Sequence, residues 1–382
     1  MADPKKIKVA FIFNHAFFLG GGEASFFELI KSIDAAKFKP VAMVPGRGEI
    51  QKRFISHNDA CLTLFLPALK TIAVGLPLVA LLKLVFRFIK SRIDIIHVNG
   101  SRACFYAGLA GRLVGIPVVW HVRESLGDRY MYDGLLAVCA RTIICVSESV
   151  QRKRFGRFAG RIIKKTTVVH NGVDTARFVR QADARHRIRN TLMVANEILF
   201  GIVANIVPLK GQDFFLRGFG RAKLQKPDLC AKALIIGRIL DPAYHRKLRR
   251  DVSELHLEDS VVFMDFTSDI HEIYSALDIF VLPSEREGFS RSLIEAMSAS
   301  LPVLATNIAA IAEAVTNGEN GILVDYDDVD RMAAAIIKLC CDHNFRGKSG
   351  PLNRQKAVSH FDLAGHARRV EKIYNDILAD HP

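Results

Sequence analysis

Glu287 and Glu295, separated by seven residues, lie in the segment Pro283-Ser284-Glu285-Arg286-Glu287-Gly288-Phe289-Ser290-Arg291-Ser292-Leu293-Ile294-Glu295-Ala296-Met297. The run 278–282 before it reads as a buried strand, and 302–306 after it as another. Glu287 therefore belongs to a loop at the carboxyl end of a strand, where open α/β sheets bind ligands. Glu295 falls on the helix that follows. A helix starting just after Gly288 presents unpaired N–H groups and a positive dipole end to an anion. A lysine, Lys210, follows another strand signal in Asn205-Ile206-Val207-Pro208-Leu209-Lys210-Gly211, where its charge can meet an anion. A histidine, His121, ends the strand signal of Val118-Val119-Trp120-His121-Val122.

Strand-length apolar runs alternate with helical patterns along the whole chain, which predicts βα units and parallel sheets. The first series falls at 8–13, 40–44, 61–66, 94–98, 118–122, 142–146 and 167–170. The second falls at 199–205, 232–236, 261–266, 278–282, 302–305 and 321–324. The Arg-rich stretch 175–190 reads as a linker, and 361–378 has apolar residues at helical spacing (Val370, Ile373, Tyr374, Ile377).

The 382 residues suffice for two domains. Residues 1–190 carry 31 lysines and arginines against 13 acids, and residues 191–382 carry 22 against 26, which supports a boundary near the middle. The seven cysteines show no metal-type spacing, and an odd, scattered set points to a reducing compartment. No signal peptide is legible at the start, so a cytoplasmic protein is expected. The apolar stretch 71–82 is too short to span a bilayer and reads as a helix packed on a sheet, with membrane-surface contact as the minor alternative.

The compound pattern at 283–297 resembles the signature of the family-4 retaining glycosyltransferases. The resemblance extends from the loop Gly20-Gly21-Gly22-Glu23 to the last helix. It implies the GT-B fold: two Rossmann-like α/β domains facing across a cleft, with a C-terminal helix crossing back to the first. The corresponding division is 1–177 for acceptor binding, 178–198 as linker, 199–358 for donor nucleotide, and 359–382 as the returning helix. It further implies a nucleoside-diphosphate sugar as donor and a glycan or lipid-linked acceptor. Catalytic roles fall to Lys210, Glu287 and His121. Donor contacts fall to Gly21, Gly22, Asn205, Lys210, Arg238, Glu287, Gly288, Phe289, Ser290, Arg291 and Glu295. Glu287 and His121 would hold the sugar, Glu295 the ribose, and the glycine loop would lie beside the diphosphate, its backbone freed to adopt positive φ.

The chain departs from the pattern at three places, one of them Arg291, a tolerated variant near the phosphate end of the helix. Asn205 stands where arginine is usual, with Arg238 as a candidate substitute. Ala309, Ala310 and Ala312 stand where two glycines and a proline are typical, so that loop is expected to differ in shape. No cofactor and no metal are expected, and Asp325-Tyr326-Asp327 reads as a solvated loop and helix start. Gln151–Lys165 holds seven bases and no acid, with Phe155, Phe158 and Ile162 on one helical stripe. It reads as a helix with a basic face, and as a peripheral contact for anionic lipid at the inner face of a membrane. Nucleic acid is not expected, because no nucleic-acid motif accompanies the charge. A sugar-nucleotide 2-epimerase and a non-catalytic nucleotide-binding scaffold are the competing readings.

Overall fold

The computed structural model describes residues 6–57, 59–67, 76–124, 130–158 and 160–380. Among the described residues, Val-, Ile- and Phe-rich segments form thirteen strands, all in parallel pairs. The first seven are β1 (Ile7–Ile12), β2 (Phe38–Pro45), β3 (Cys61–Leu64), β4 (Ile95–Asn99), β5 (Val118–Val122), β6 (Thr142–Cys145) and β7 (Thr166–Val168). They make one sheet in the order β3-β2-β1-β4-β5-β6-β7. The other six are β8 (Ile198–Val203), β9 (Ala231–Ile236), β10 (Val261–Met264), β11 (Ile279–Leu282), β12 (Val303–Thr306) and β13 (Gly321–Val324). They make a second sheet in the order β10-β9-β8-β11-β12-β13. Every strand falls within a few residues of its expected position. The central strands β4, β5, β11 and β12 are buried along their whole length, as parallel strands covered on both faces must be.

In each sheet the order reverses at one place, between β1 and β4 and between β8 and β11. Consecutive crossovers leave to opposite faces there, and the gap at the carboxyl edge is the place where such sheets take ligands.

The chain forms two units, Met1–Gly172 with Leu363–Pro382, and Val173–Asp362. The last helix, Leu363–Ala379, belongs to the first unit. Ala367, Val370, Tyr374 and Ile377 recur on one face and join the core built by Phe11, Phe26 and Phe38. Ile373 is only half-buried, and Phe361 lies in the second unit against Phe289, with ring centroids 5.3 Å apart.

The stretch expected as a linker is folded. Residues Ala182–Thr191 form a helix packed on the helix Ile270–Ala276. Its arginines account for the difference. Arg185 donates to the carbonyls of Ser275, Ala276 and Leu277, and Arg185 and Arg189 pair with Asp278 at 2.6 and 2.9 Å. These cations satisfy the carbonyls left open at a helix C-terminus, a structural task that composition alone does not distinguish from a solvated connector.

The basic run 151–165 also differs from expectation. The helix covers Glu148–Phe155 only, and a 3-10 turn follows at Ile163–Lys165. Arg154 is buried and bonds Asp133 with both its Nε, at 2.8 Å, and its Nη2. Lys165 donates to the carbonyls of Ala137 and Ala140. Arg152, Lys153, Arg157, Arg161 and Lys164 remain exposed. Part of the apolar stretch 71–82 lies outside the described residues. From Leu76 it is helical, and no described helix is long and apolar enough to cross a membrane.

Candidate active site

In the second unit, the loop after β8 and the loop after β11 meet at the switch point. Gly211 makes this approach possible. It has φ +65°, and a Cβ there would lie 2.1 Å from the Pro283 carbonyl oxygen. The Glu285 N–H donates to the Leu209 carbonyl at 3.0 Å. Lys210 and Glu287 are thereby joined, Nζ to Oε1 at 2.6 Å. Ser284 Oγ donates to the same carboxylate oxygen at 2.7 Å, and Thr306 Oγ1 holds the Ser284 carbonyl at 2.6 Å. Glu287 is nearly buried (9% exposed) while Lys210 keeps 26% of its side chain in solvent. The cation is thus held in place by an acid yet open on one side, which suits it to receive an anion.

Ser290 caps the helix Arg291–Ser298, its Oγ accepting from the Leu293 N–H at 3.3 Å. Glu295, one turn in, is buried and takes two strong donors, Arg291 Nε at 2.6 Å and Tyr274 OH at 2.9 Å. Burial and this carboxylate push the Tyr274 phenol well above its ordinary pKa. Arg291 is therefore engaged with Glu295. Phe289 is buried beside Phe361, and Gly288 links it to the loop. Asn205 and Arg238 follow β8 and β9, whose extensions are tied by the Ile206 N–H to the Arg238 carbonyl at 2.9 Å. The Asn205 carbonyl accepts from Gln212, and the Arg238 guanidinium lies 4.8 Å from the centre of the Phe266 ring.

Two expectations for the second unit need comment. Residues Ala309–Ala312 form a short helix whose cap, Ile308, is extended, so this loop needs no positive φ and alanine fits it. In the Asp325–Asp327 loop, Asp325 accepts from Asn307 and Asp327 pairs with Arg217, while the next acid, Asp328, caps a helix. Among the described residues no His, Cys, Asp or Glu cluster is placed to hold a metal ion.

In the first unit, a cavity of about 360 Å³ opens at the switch point of the first sheet. Asn14, Gly22, Glu23, Asn99 and Arg123 are among its walls. The glycine loop differs from expectation: Gly20 is extended (φ −169°), and Gly21 and Gly22 open the helix Gly21–Ser32 without positive φ. Space is the constraint, because a Cβ on Gly22 would lie 3.3 Å from Arg123 Cδ. Glu23 is buried, which raises its carboxyl pKa against the opposing pull of Arg123.

Arg123 is the hub. It donates to the Oδ1 atoms of Asn99 at 2.7 Å and Asn171 at 2.5 Å, and its Nη2 lies 3.4 Å from His121 Nδ1. A guanidinium only donates, so His121 Nδ1 accepts and its proton sits on Nε2. His97 Nε2, 3.2 Å from the same Nδ1, must then donate, and Tyr374 OH donates to His97 Nδ1. The His97 and His121 rings stack with centroids 5.3 Å apart. His366 completes the cluster, Nδ1 donating to the His170 carbonyl at 2.8 Å. All three rings are fully buried. Burial, aided by Arg123, holds His97 and His121 well below their usual pKa, and His366 falls to about 3. His121 Nε2 is a buried donor without a protein acceptor. Such a group has an unmet demand for one.

The structure joins Lys210 to Glu287 and Arg291 to Glu295, pairings that the spacing of the motifs does not specify. The hydrogen-bond partners Tyr274, Ser284, Asn99, Asn171 and Tyr374 were not anticipated. Ser284 had a local signal in its Pro-Ser turn. The others come from distant segments and carried none.

The sequence agrees with this geometry. Residues 19–177 match the family described as Glycosyltransferase Family 4, and residues 197–342 match Glycosyl transferases group 1. The lipopolysaccharide core biosynthesis mannosyltransferase LpsB of Rhizobium meliloti is 27% identical, over 58% of this chain and 64% of its own length. The UDP-Gal:alpha-D-GlcNAc-diphosphoundecaprenol alpha-1,3-galactosyltransferase of Escherichia coli is 24% identical, over 85% of this chain and 86% of its own. The crystal structure of Anabaena Alr3699/HepE in complex with UDP superposes with a TM-score of 0.85 at 21% identity, covering 97% of this chain and all of that one. Two parallel α/β sheets of matching topology, with an acid-bound lysine and a capped acidic helix at the edge of the second, place this chain among the family-4, group 1 glycosyltransferases of GT-B fold.

Proposed function

We propose that the enzyme transfers a sugar from a nucleoside-diphosphate donor to a hydroxyl of a glycan or lipid-linked glycan, with retention at the anomeric carbon. The reaction would serve surface-glycan assembly at the inner face of a membrane. The observation that carries this reading is the Lys210–Glu287 pair at the carboxyl edge of β8 and β11, followed at once by the capped helix start at Ser290. The activities of the rhizobial and Escherichia coli relatives support the class of reaction, and the UDP bound to the Anabaena protein supports a nucleotide donor.

The second unit holds the donor. Glu295 takes the ribose hydroxyls, and Glu287 takes hydroxyls of the sugar. Lys210, the helix start at Gly288–Arg291 and Arg238 face the diphosphate, with Asn205 as an uncharged hydrogen-bonding partner. In the first unit, Gly22 leaves room in the cavity wall, and His121 offers Nε2–H to a hydrogen-bond acceptor. The bond from the anomeric carbon to phosphate breaks through an oxocarbenium-like state. A bond from that carbon to the acceptor oxygen then forms on the same face, and the acceptor proton passes to the departing phosphate. The enzyme's contribution is to fix positive charge where negative charge develops. No cofactor or metal takes part in this scheme.

A thermal-shift screen of UDP, GDP, ADP and their sugars tests it, because a ligand of the native state raises Tm. One nucleotide series is expected to stabilise the wild type and to lose that effect in Glu295→Ala. Indifference to all of them overturns the proposal, as does isomerised donor in the absence of acceptor.

A further inference from the structure

The helix Leu76–Ser91 in the first unit has two apolar faces. Ala80, Leu84 and Phe88 recur every fourth residue and are buried. At roughly 100° per residue, Leu78, Val79, Leu82, Phe86 and Ile89 fall on the opposite side of the helix. Their exposures run from 42% at Val79 to 66% at Phe86. Lys83, Arg87 and Lys90 lie along one flank of this exposed arc. No acid occurs between Asp59 and Asp94. A helix that only covered a sheet would need the first face alone.

Its neighbours extend the pattern. Leu76–Ser91 packs on Ser101–Leu113, which packs on Tyr130–Cys139, which packs on Glu148–Phe155. These four helices follow β3, β4, β5 and β6, so right-handed crossovers lay them side by side on one face of the sheet. Tyr130–Cys139 adds a second exposed stripe at Met131, Leu135 and Val138. Beyond it lie the exposed bases Arg152, Lys153, Arg157, Arg161 and Lys164. One side of the unit thus presents apolar ridges bordered by cations. Each crossover helix starts at the carboxyl edge of the sheet, so Leu76 and Leu78 lie toward the same edge as the cavity.

We propose that this side docks on an anionic bilayer surface. Leu78, Leu82, Phe86 and Ile89 enter the boundary between headgroups and acyl chains, and Lys83, Arg87 and Lys90 sit at the level of the lipid phosphates. Apolar insertion beside a basic strip is what an interfacial helix needs, and the cations select the charge of the surface. The exposed bases of 151–165 add attraction at longer range. The inference stands on this helix layer and is independent of donor and acceptor identity.

Co-sedimentation of the full chain with vesicles tests it, using phosphatidylcholine alone and in equal parts with phosphatidylglycerol. Binding to the mixed vesicles is expected, with much less to the neutral ones. Leu82→Glu with Phe86→Glu is expected to reduce it about tenfold or more, while Tm and nucleotide stabilisation stay as in the wild type because both side chains are exposed. Charge reversal of Lys83, Arg87 and Lys90 is expected to remove most of the salt-sensitive part. A Phe86→Trp reporter should shift its emission to the blue on mixed vesicles, since the one native tryptophan, Trp120, is buried. Absence of binding to mixed vesicles overturns the proposal, as does undiminished binding of the Leu82/Phe86 variant. A solution dimer that this variant dissolves would also overturn it, by assigning the face to a second copy of the chain.

Discussion

The two sheets share their strand order at the switch point, yet the chemistry placed there is opposite. The second unit gathers full charges in pairs, Lys210 with Glu287 and Arg291 with Glu295. The first unit buries neutral rings, His97, His121 and His366, around one arginine that is itself bonded to asparagines. The contrast shows one backbone scaffold used in two ways. A site that stabilises a developing anion gains from preorganised charge. Where a ring must hold one tautomer, burial and directional hydrogen bonds serve better than charge.

The largest expected consequence of this contrast is acid sensitivity in the first unit. The three histidines are neutral when folded and titrate near 6.5 when unfolded, so below that pH the unfolded state binds more protons. Stability is therefore full above about pH 7 and is lost as pH falls through 6.5 toward the depressed folded values. Between pH 7 and 5.5 the loss should be about 1.3 kcal/mol per ring, or about 4 kcal/mol for the three. Denaturant melts across this range check it, and a His366→Phe variant should flatten the slope by about a third. A slope unchanged by that substitution would mean that other groups set it.

Next in size is Lys210→Ala. Removing a donor to a developing anion should lower kcat by about a hundredfold to a thousandfold with little change in donor KM. Steady-state kinetics that showed only a raised KM would instead give Lys210 a ground-state role. Glu295→Gln is expected to act the other way, raising donor KM about tenfold with kcat nearly kept. Because it also leaves Arg291 beside a neutral partner, Tm should fall by several degrees.

Tyr374→Phe should give the smallest effect. It deletes the donor that sets the His97 tautomer and should cost about 1 kcal/mol. The informative readout is the nitrogen chemical shifts of His97 and His121, which should report mixed tautomers. Unaltered shifts would show that Arg123 alone directs His121.

Much of this architecture is legible in the chain. Strand runs such as 118–122 and 278–282 are continuous apolar stretches, because a strand buried on both faces needs no polar alternation. The acidic helix is legible through its Pro-Ser turn and the seven-residue interval from Glu287 to Glu295. The folded arginines of 182–191 and the buried Arg154 were not, since a base that will meet a carbonyl or an aspartate has the same local context as one that will meet water. Arg154 and Asp133 are 21 residues apart, and Lys210 and Glu287 are 77 apart.

The sequence by itself determined where the strands lie and which short segments carry acids, glycines and bases. Those features depend on local periodicity and backbone preference. Only the tertiary structure decided which charges meet, which ring nitrogens hold protons, and which face of the Leu76–Ser91 helix stays outside. Partner choice and burial depend on chain segments brought close by packing, and no local window of residues contains that information.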